Sequence, residues 1–134
     1  MRTIPYHALV DAVAGLVEET CVILPGDVLD ALDRALAQET HPVALSILGQ
    51  IVENAGIARE DAMPLCQDTG LAVVFVDMGE DVRVGGAGVE AGITEGVRKG
   101  YRDGGLRMSV VRDPLRRGNT GDNTPAIIDR KSVV

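Results

Sequence analysis

Gly92, Gly96 and Gly100 recur every fourth residue inside a stretch whose apolar positions Val89, Ile93 and Val97 also recur every fourth. That period puts the three glycines in one row along a helix. Glycine in a helix interior costs about 1 kcal/mol against alanine, so the row costs about 3 kcal/mol. A helix carrying such a row is one that another backbone must approach closely, and tight packing of residues 89–101 on a sheet is the reading that follows. Glycines flank the segment at 85, 86 and 88 and at 104 and 105, and set its limits.

The other elements are arranged around this helix. Leu9, Val10, Val13, Leu16 and Val17 predict a helix over residues 5–19. Pro25 opens a second, with Val28, Leu32 and Leu36 on one stripe and Leu29 beside it. Thr40-His41-Pro42 opens a third, with Ala44, Ile47, Leu48, Ile51 and Ala55 as its stripe and Gly56 as its left-handed stop. The pattern then changes. Residues 71–78 are apolar until Asp77 and predict a strand covered on both faces. Short strands are predicted over 82–84 and 106–111, the latter placing Arg107 and Ser109 on one face and ending before Asp113-Pro114. Residues 116–124 form a polar loop, and Pro125 starts another strand. The fold class is α+β: three short helices, then a small mixed sheet with one packed glycine-rich helix. A helical part (1–60) and a mixed part (61–134) make one domain, and the last apolar run, cut short, reads as truncated.

Charge is unevenly placed. Residues 1–97 carry 4 Arg/Lys against 16 Asp/Glu, net −12, whereas residues 98–117 carry 7 against 2, net +5. A basic segment in an acidic chain suits local capture of an anion, or is a solvated face. It lacks interleaved aromatics apart from Tyr101, which argues against nucleic acid. No run approaches the roughly 20 apolar residues of a membrane span, and residues 1–7 do not read as a secretory signal, so a cytoplasmic location is expected. Two cysteines, Cys21 and Cys66, make no disulfide scaffold.

Chemistry gathers at Cys66-Gln67-Asp68-Thr69, between Pro64 and Gly70 at the mouth of the first long strand. Read locally, Cys66 is a buried structural thiol, a nucleophile lacking an evident base, or a metal ligand whose companions come from elsewhere. Cys21 lies in apolar company and reads as a core thiol. Gly86-Ala-Gly-Val-Glu-Ala91 fits the loose G-x-G-x-x-A dinucleotide form, but Arg107 stands where an acid is expected. Asn119-Thr-Gly-Asp-Asn123 is an ordinary turn or a pocket-lining loop, without the spacing of a calcium site.

The runs Leu24-Pro-Gly-Asp-Val, Ile57-Ala-Arg-Glu, Pro64-Leu-Cys-Gln-Asp-Thr-Gly, Leu106-Arg-Met-Ser, Asp113-Pro-Leu and Asn119-Thr-Gly-Asp-Asn-Thr-Pro-Ala fall in one order along the chain. Together they resemble the N-terminal part of the iron–sulfur-dependent class I fumarate hydratases and of the L(+)-tartrate dehydratase alpha subunit. The resemblance implies a hydro-lyase acting on a small hydroxy dicarboxylic acid. It implies Cys66 as the first of three cysteine ligands to a [4Fe–4S] cluster with one open iron. Gln67 and Asp68 are then substrate contacts, Asp68 also taking part in proton transfer; Arg107 grips a substrate carboxylate, and Asn119 and Thr120 line the pocket. Two further cluster cysteines are expected past Val134, so this chain alone is expected to hold no complete cluster and to be inactive. The expected partners are the small dicarboxylate, a remaining catalytic domain or beta subunit, and other copies in a homo- or hetero-oligomer, with neither nucleic acid nor membrane. The alternative is a truncated, non-catalytic relative acting as an interaction module.

Overall fold

The computed structural model describes residues 1–133. In chain order these form β1 (Arg2–Ile4), α1 (Tyr6–Val22), α2 (Gly26–Gln38), α3 (Pro42–Asp61), β2 (Val73–Gly79), β3 (Val82–Val84), α4 (Val89–Asp103) and β4 (Ile127–Val133). The arrangement is α+β, with two small parallel pairs in place of one mixed sheet: β1 with β3, and β2 with β4. The chain divides into two compact units. One is Met1–Glu18 with everything from Asp68 onward, and the other is Glu19–Gln67.

In the first unit the glycine row does what its spacing demands, but against a helix and not a sheet. A Cβ built on Gly96 would lie 2.6 Å from the Cβ of Val13 and 2.8 Å from the carbonyl oxygen of Val10. One on Gly100 would lie 2.8 Å from the carbonyl oxygen of Ala14, and one on Gly92 would meet Leu9. The missing side chains let α4 lie against the backbone of α1. Val10, Val13, Ala14 and Val17 of α1 and Ile93, Val97 and Tyr101 of α4 are the buried residues of that seam. Lys99 reaches across to Asp11 at 3.5 Å.

β2 and β4 run in register from Val73 opposite Ile127 to Gly79 opposite Val133. The expectation of a strand covered on both faces fails. Val74, Val76 and Met78 are half-buried, whereas Val73 and Phe75 face outward, Phe75 at 75% exposure. The strand expected over 106–111 also fails, apart from an isolated antiparallel bridge between Val111 and Asn119. Its peptide groups bond to side-chain amides: the N–H groups of Ser109 and Val110 donate to Asn123 Oδ1, and the Met108 carbonyl accepts from Asn119 Nδ2. Side-chain partners have replaced a neighbouring strand.

In the second unit α2 packs on α3. Leu29, Leu32 and Leu36 are half-buried. The helix α3 runs through Gly56 to Asp61, and Ala62 takes the left-handed position instead (φ 51°). One interior glycine costs too little to stop a helix whose Ala55 and Ala58 are buried on both sides of it. The stripe read for α3 is only partly right, because Ile47 and Ile51 are 52% and 41% exposed.

Gly96→Ala should destabilise the chain by about 1–3 kcal/mol, since the new methyl overlaps a backbone carbonyl that cannot swing aside. Gly56→Ala, with open space around its Cβ position, should stabilise it by about 0.5–1 kcal/mol. Urea unfolding of both variants checks the pair, and equal effects would refute the seam.

Candidate functional site

Asp68 is exposed at the start of the first unit's second chain segment. Its Oδ1 accepts from the Gly70 N–H at 3.0 Å and from the Ser109 hydroxyl at 3.1 Å. The Gly70 amide, then the Ser109 hydroxyl, and less strongly the charge of Arg107, hold its carboxyl below the ordinary carboxylate range. Asp68 is therefore ionised and can act as a base or as an electrostatic anchor. Thr69 is held too. Its hydroxyl donates to the Arg107 carbonyl oxygen at 2.7 Å, which ties the 68–70 turn to the Arg107 backbone. The Arg107 side chain is itself exposed.

Two buried groups brace this turn. Tyr101, near the end of α4, directs its hydroxyl at the carbonyl oxygens of Thr69 (2.9 Å) and Gly70 (3.3 Å). Asn123 is fully buried. Its Oδ1 accepts from Ser109 N at 2.6 Å and Val110 N at 2.9 Å, and its Nδ2 donates to Gly70 O at 3.0 Å. One amide thus joins three chain segments. Neither Tyr101 nor Asn123 was singled out individually from sequence. The signal for Asn123 was its place in the Asn119–Asn123 run, and Tyr101 carried none beyond being the lone aromatic of the basic segment.

The loop after residue 118 is built on asparagine and aspartate caps. Asn119 donates through Nδ2 to Met108 O and accepts at Oδ1 from Gly121 N, both at 2.7 Å. Thr120 N donates to Val110 O at 3.0 Å, while its Oγ1 is buried without a hydrogen-bond partner among the described residues. Asp122 Oδ1 accepts from Thr124 N and Thr124 Oγ1, and its Oδ2 takes Arg98 Nε at 2.9 Å. Hydrogen bonding to Arg98, foremost, lowers the Asp122 carboxyl to about 2. Arg98 is further paired with Glu95, Lys99 with Asp103 and Arg102 with Asp103. The cations of α4 are thus engaged, and the exposed remainder of the basic segment is Arg107, Arg112, Arg116 and Arg117.

Cys66 and Gln67 belong to the second unit and are exposed. The residue before them is clamped: Leu65 N donates to Cys21 O at 2.9 Å, and Leu65 O accepts from Asn54 Nδ2 at 2.8 Å. Cys66 is thus no buried structural thiol. Cys21, in the last turn of α1, is half-buried, and burial pushes its thiol up, with a smaller contribution from Cys66. Neither cysteine is in a disulfide. Among the described residues no three His, Cys, Asp or Glu side chains converge as a metal site, and no helix is long and apolar enough to cross a membrane.

Residues 10–134 match the family model described as Fumarate hydratase (Fumerase). A Methanocaldococcus jannaschii protein provisionally named L(+)-tartrate dehydratase subunit alpha is 38% identical over 122 residues, covering 87% of this chain and 42% of its own length. The aerobic class I fumarate hydratase of Salmonella typhimurium is 41% identical over 86 residues, 63% of this chain and 15% of that protein. Fumarate hydratase 2 of Leishmania major is 39% identical over 85 residues, 62% and 15% respectively. The chain spans less than half the length of each of these relatives.

Asn123→Leu should destabilise the chain by about 3 kcal/mol or more, because it strands two buried N–H groups and a carbonyl; Tyr101→Phe should cost about 1 kcal/mol. Denaturant unfolding measures both. The depressed Asp122 carboxyl stabilises the fold fully above its unfolded value near 3.8 and stops doing so as pH falls through about 2. The melting-temperature gap between wild type and Asp122→Asn should therefore be constant above about pH 5 and close by about pH 2. A gap that widens in acid would contradict the Arg98–Asp122 contact.

Proposed function

The chain belongs to the fumarate hydratase (Fumerase) family, and from that premise we propose that it is the N-terminal part of an iron–sulfur-dependent hydro-lyase. The reaction is loss or addition of water between a hydroxy dicarboxylic acid and its unsaturated product, malate and fumarate or the tartrate equivalent. The observation that carries this reading is Asp68, an exposed carboxylate kept ionised by the Gly70 amide and the Ser109 hydroxyl on a turn bonded to Arg107.

In this reading Asp68 exchanges a proton with the substrate. The Arg107 guanidinium takes a substrate carboxylate through two parallel hydrogen bonds. Gln67 contributes an amide. Asn119 already uses both ends of its amide within the fold and retains one N–H and one lone pair for a ligand. Thr120 brings a hydroxyl with no competing partner among the described residues.

The cluster is the property of the complete enzyme. A [4Fe–4S] group with one open iron takes three thiolates, whereas these 134 residues contain two cysteines. The residues present do not fit the whole group, and no step is assigned to it here. Cys66, exposed on a clamped backbone, is proposed as one ligand, with the other two supplied by the remaining part of the catalytic domain. We take an oligomer or a two-subunit enzyme, in the cytoplasm, as the working form.

Anaerobic iron–sulfide reconstitution of this chain alone should give well under the four irons of a full cluster, and no hydration of fumarate. Joined to the complementary portion of a relative, it should gain hydratase activity. Asp68→Asn should then lower kcat by about 10²-fold or more with KM little changed, and Arg107→Lys should raise KM by about tenfold. A complex that forms yet stays inactive with the native residues would establish the non-catalytic interaction module instead.

A further inference from the structure

The glycine turn Gly85–Gly88, between β3 and α4, contributes no residue to the dicarboxylate site. The structure places it between β3, ending at Val84, and α4, beginning at Val89. Beside it lies a cavity of about 480 Å³ whose walls come from the C-terminal ends of β2, β3 and β4 and from the start of α4. Its polar lining is Arg83, Arg130, Ser132 and Glu80, and Met78 and Val89 are among its apolar walls.

The two arginines are the informative feature. Arg83 comes from β3 and Arg130 from β4, in different sheets. Among the described residues neither is paired with a carboxylate, in contrast to Arg98, Lys99 and Arg102 of α4, all of which are. Two arginines on the wall of one cavity give it a positive charge that an anion of two charges would neutralise. Register puts Arg130 opposite Val76 and Ser132 opposite Met78, so the guanidinium and the hydroxyl project from one face of the sheet. Two planar forks and a hydroxyl offer more donors than the two oxygens of a carboxylate can take, and suit the three outer oxygens of a phosphate. The cavity exceeds a lone phosphate and lies within the size range of sites for small organic ligands.

We propose that this cavity binds a phosphate-bearing small molecule. Arg83, Arg130 and Ser132 hold the phosphate, Met78 and Val89 pack against the organic part, and Glu80 accepts from its hydroxyl groups. The site shares no residue with the Asp68 turn, so its failure leaves the proposed hydro-lyase role untouched.

Calorimetric titration of the full chain with adenosine monophosphate, inorganic phosphate, adenosine and malate tests it. Saturable binding of the monophosphate, of inorganic phosphate, or of both is expected, with adenosine weaker than the monophosphate by about tenfold or more. The double variant Arg83→Gln, Arg130→Gln should weaken phosphate binding by about tenfold or more, while Arg107→Gln leaves it unchanged. Both arginines are exposed, and an unchanged circular dichroism spectrum shows that the double variant is folded. A monophosphate that binds tighter than inorganic phosphate identifies an organic phosphate as the ligand; equal affinities identify the phosphate ion. The proposal is overturned by the absence of saturable heat with either phosphate probe up to about 10 mM, by binding that survives the double variant, by adenosine binding as tightly as its monophosphate, or by malate binding that the double variant abolishes while phosphate binds no tighter.

Discussion

The carboxamide of Asn123 is the group on which the candidate site depends. Three of its hydrogen bonds reach the Gly70 carbonyl and the amides of Ser109 and Val110, in segments 53 and 13–14 residues away in sequence. Buried polar groups are costly when unpaired, so each of these backbone groups requires the amide as much as the amide requires them. Through Ser109 the effect reaches Asp68, because Ser109 N bonds the amide while its hydroxyl bonds the carboxylate. A side chain with no solvent exposure thereby helps to hold a hydroxyl that, after the Gly70 amide, lowers the carboxyl of one that is open to solvent.

The packing of α4 on α1 acts on the same turn from the other side. Gly100 brings the two backbones to contact, and Tyr101 follows immediately. With the helix at that distance, the Tyr101 hydroxyl reaches the carbonyl oxygens of Thr69 and Gly70. An added methyl at Gly96 or Gly100 would displace the ring as well as the helix. The glycine row is thus a structural feature with a consequence at the site, through the geometry of one phenol.

Much of this was legible in the sequence where a local rule governs it. The helices follow apolar spacing, and the glycine period required a close backbone approach. The gathering of polar groups at Cys66–Thr69 and at Asn119–Asn123 was visible as composition. What was missed depends on partners distant in the chain. The segment at 106–110 alternates as a strand does, yet its peptide groups bond to asparagine side chains instead of a neighbouring strand. β1 is three residues long and exists through its pairing with Val82–Val84, eighty positions on. Gly56 looks like a stop until Ala55 and Ala58 are seen to be buried around it. No rule of spacing identifies Tyr101, because its role comes from where a helix–helix contact leaves its hydroxyl.

The clamp on Leu65 has a mechanical meaning. With its N–H held by the end of α1 and its C=O held by Asn54 of α3, the peptide leading into Cys66 has lost its freedom to swing. Rotation about the Cys66 N–Cα bond and about its Cα–Cβ bond, the latter among three staggered stations, is what remains to place the sulfur. A thiol mounted in this way swings over a short arc from an anchored point.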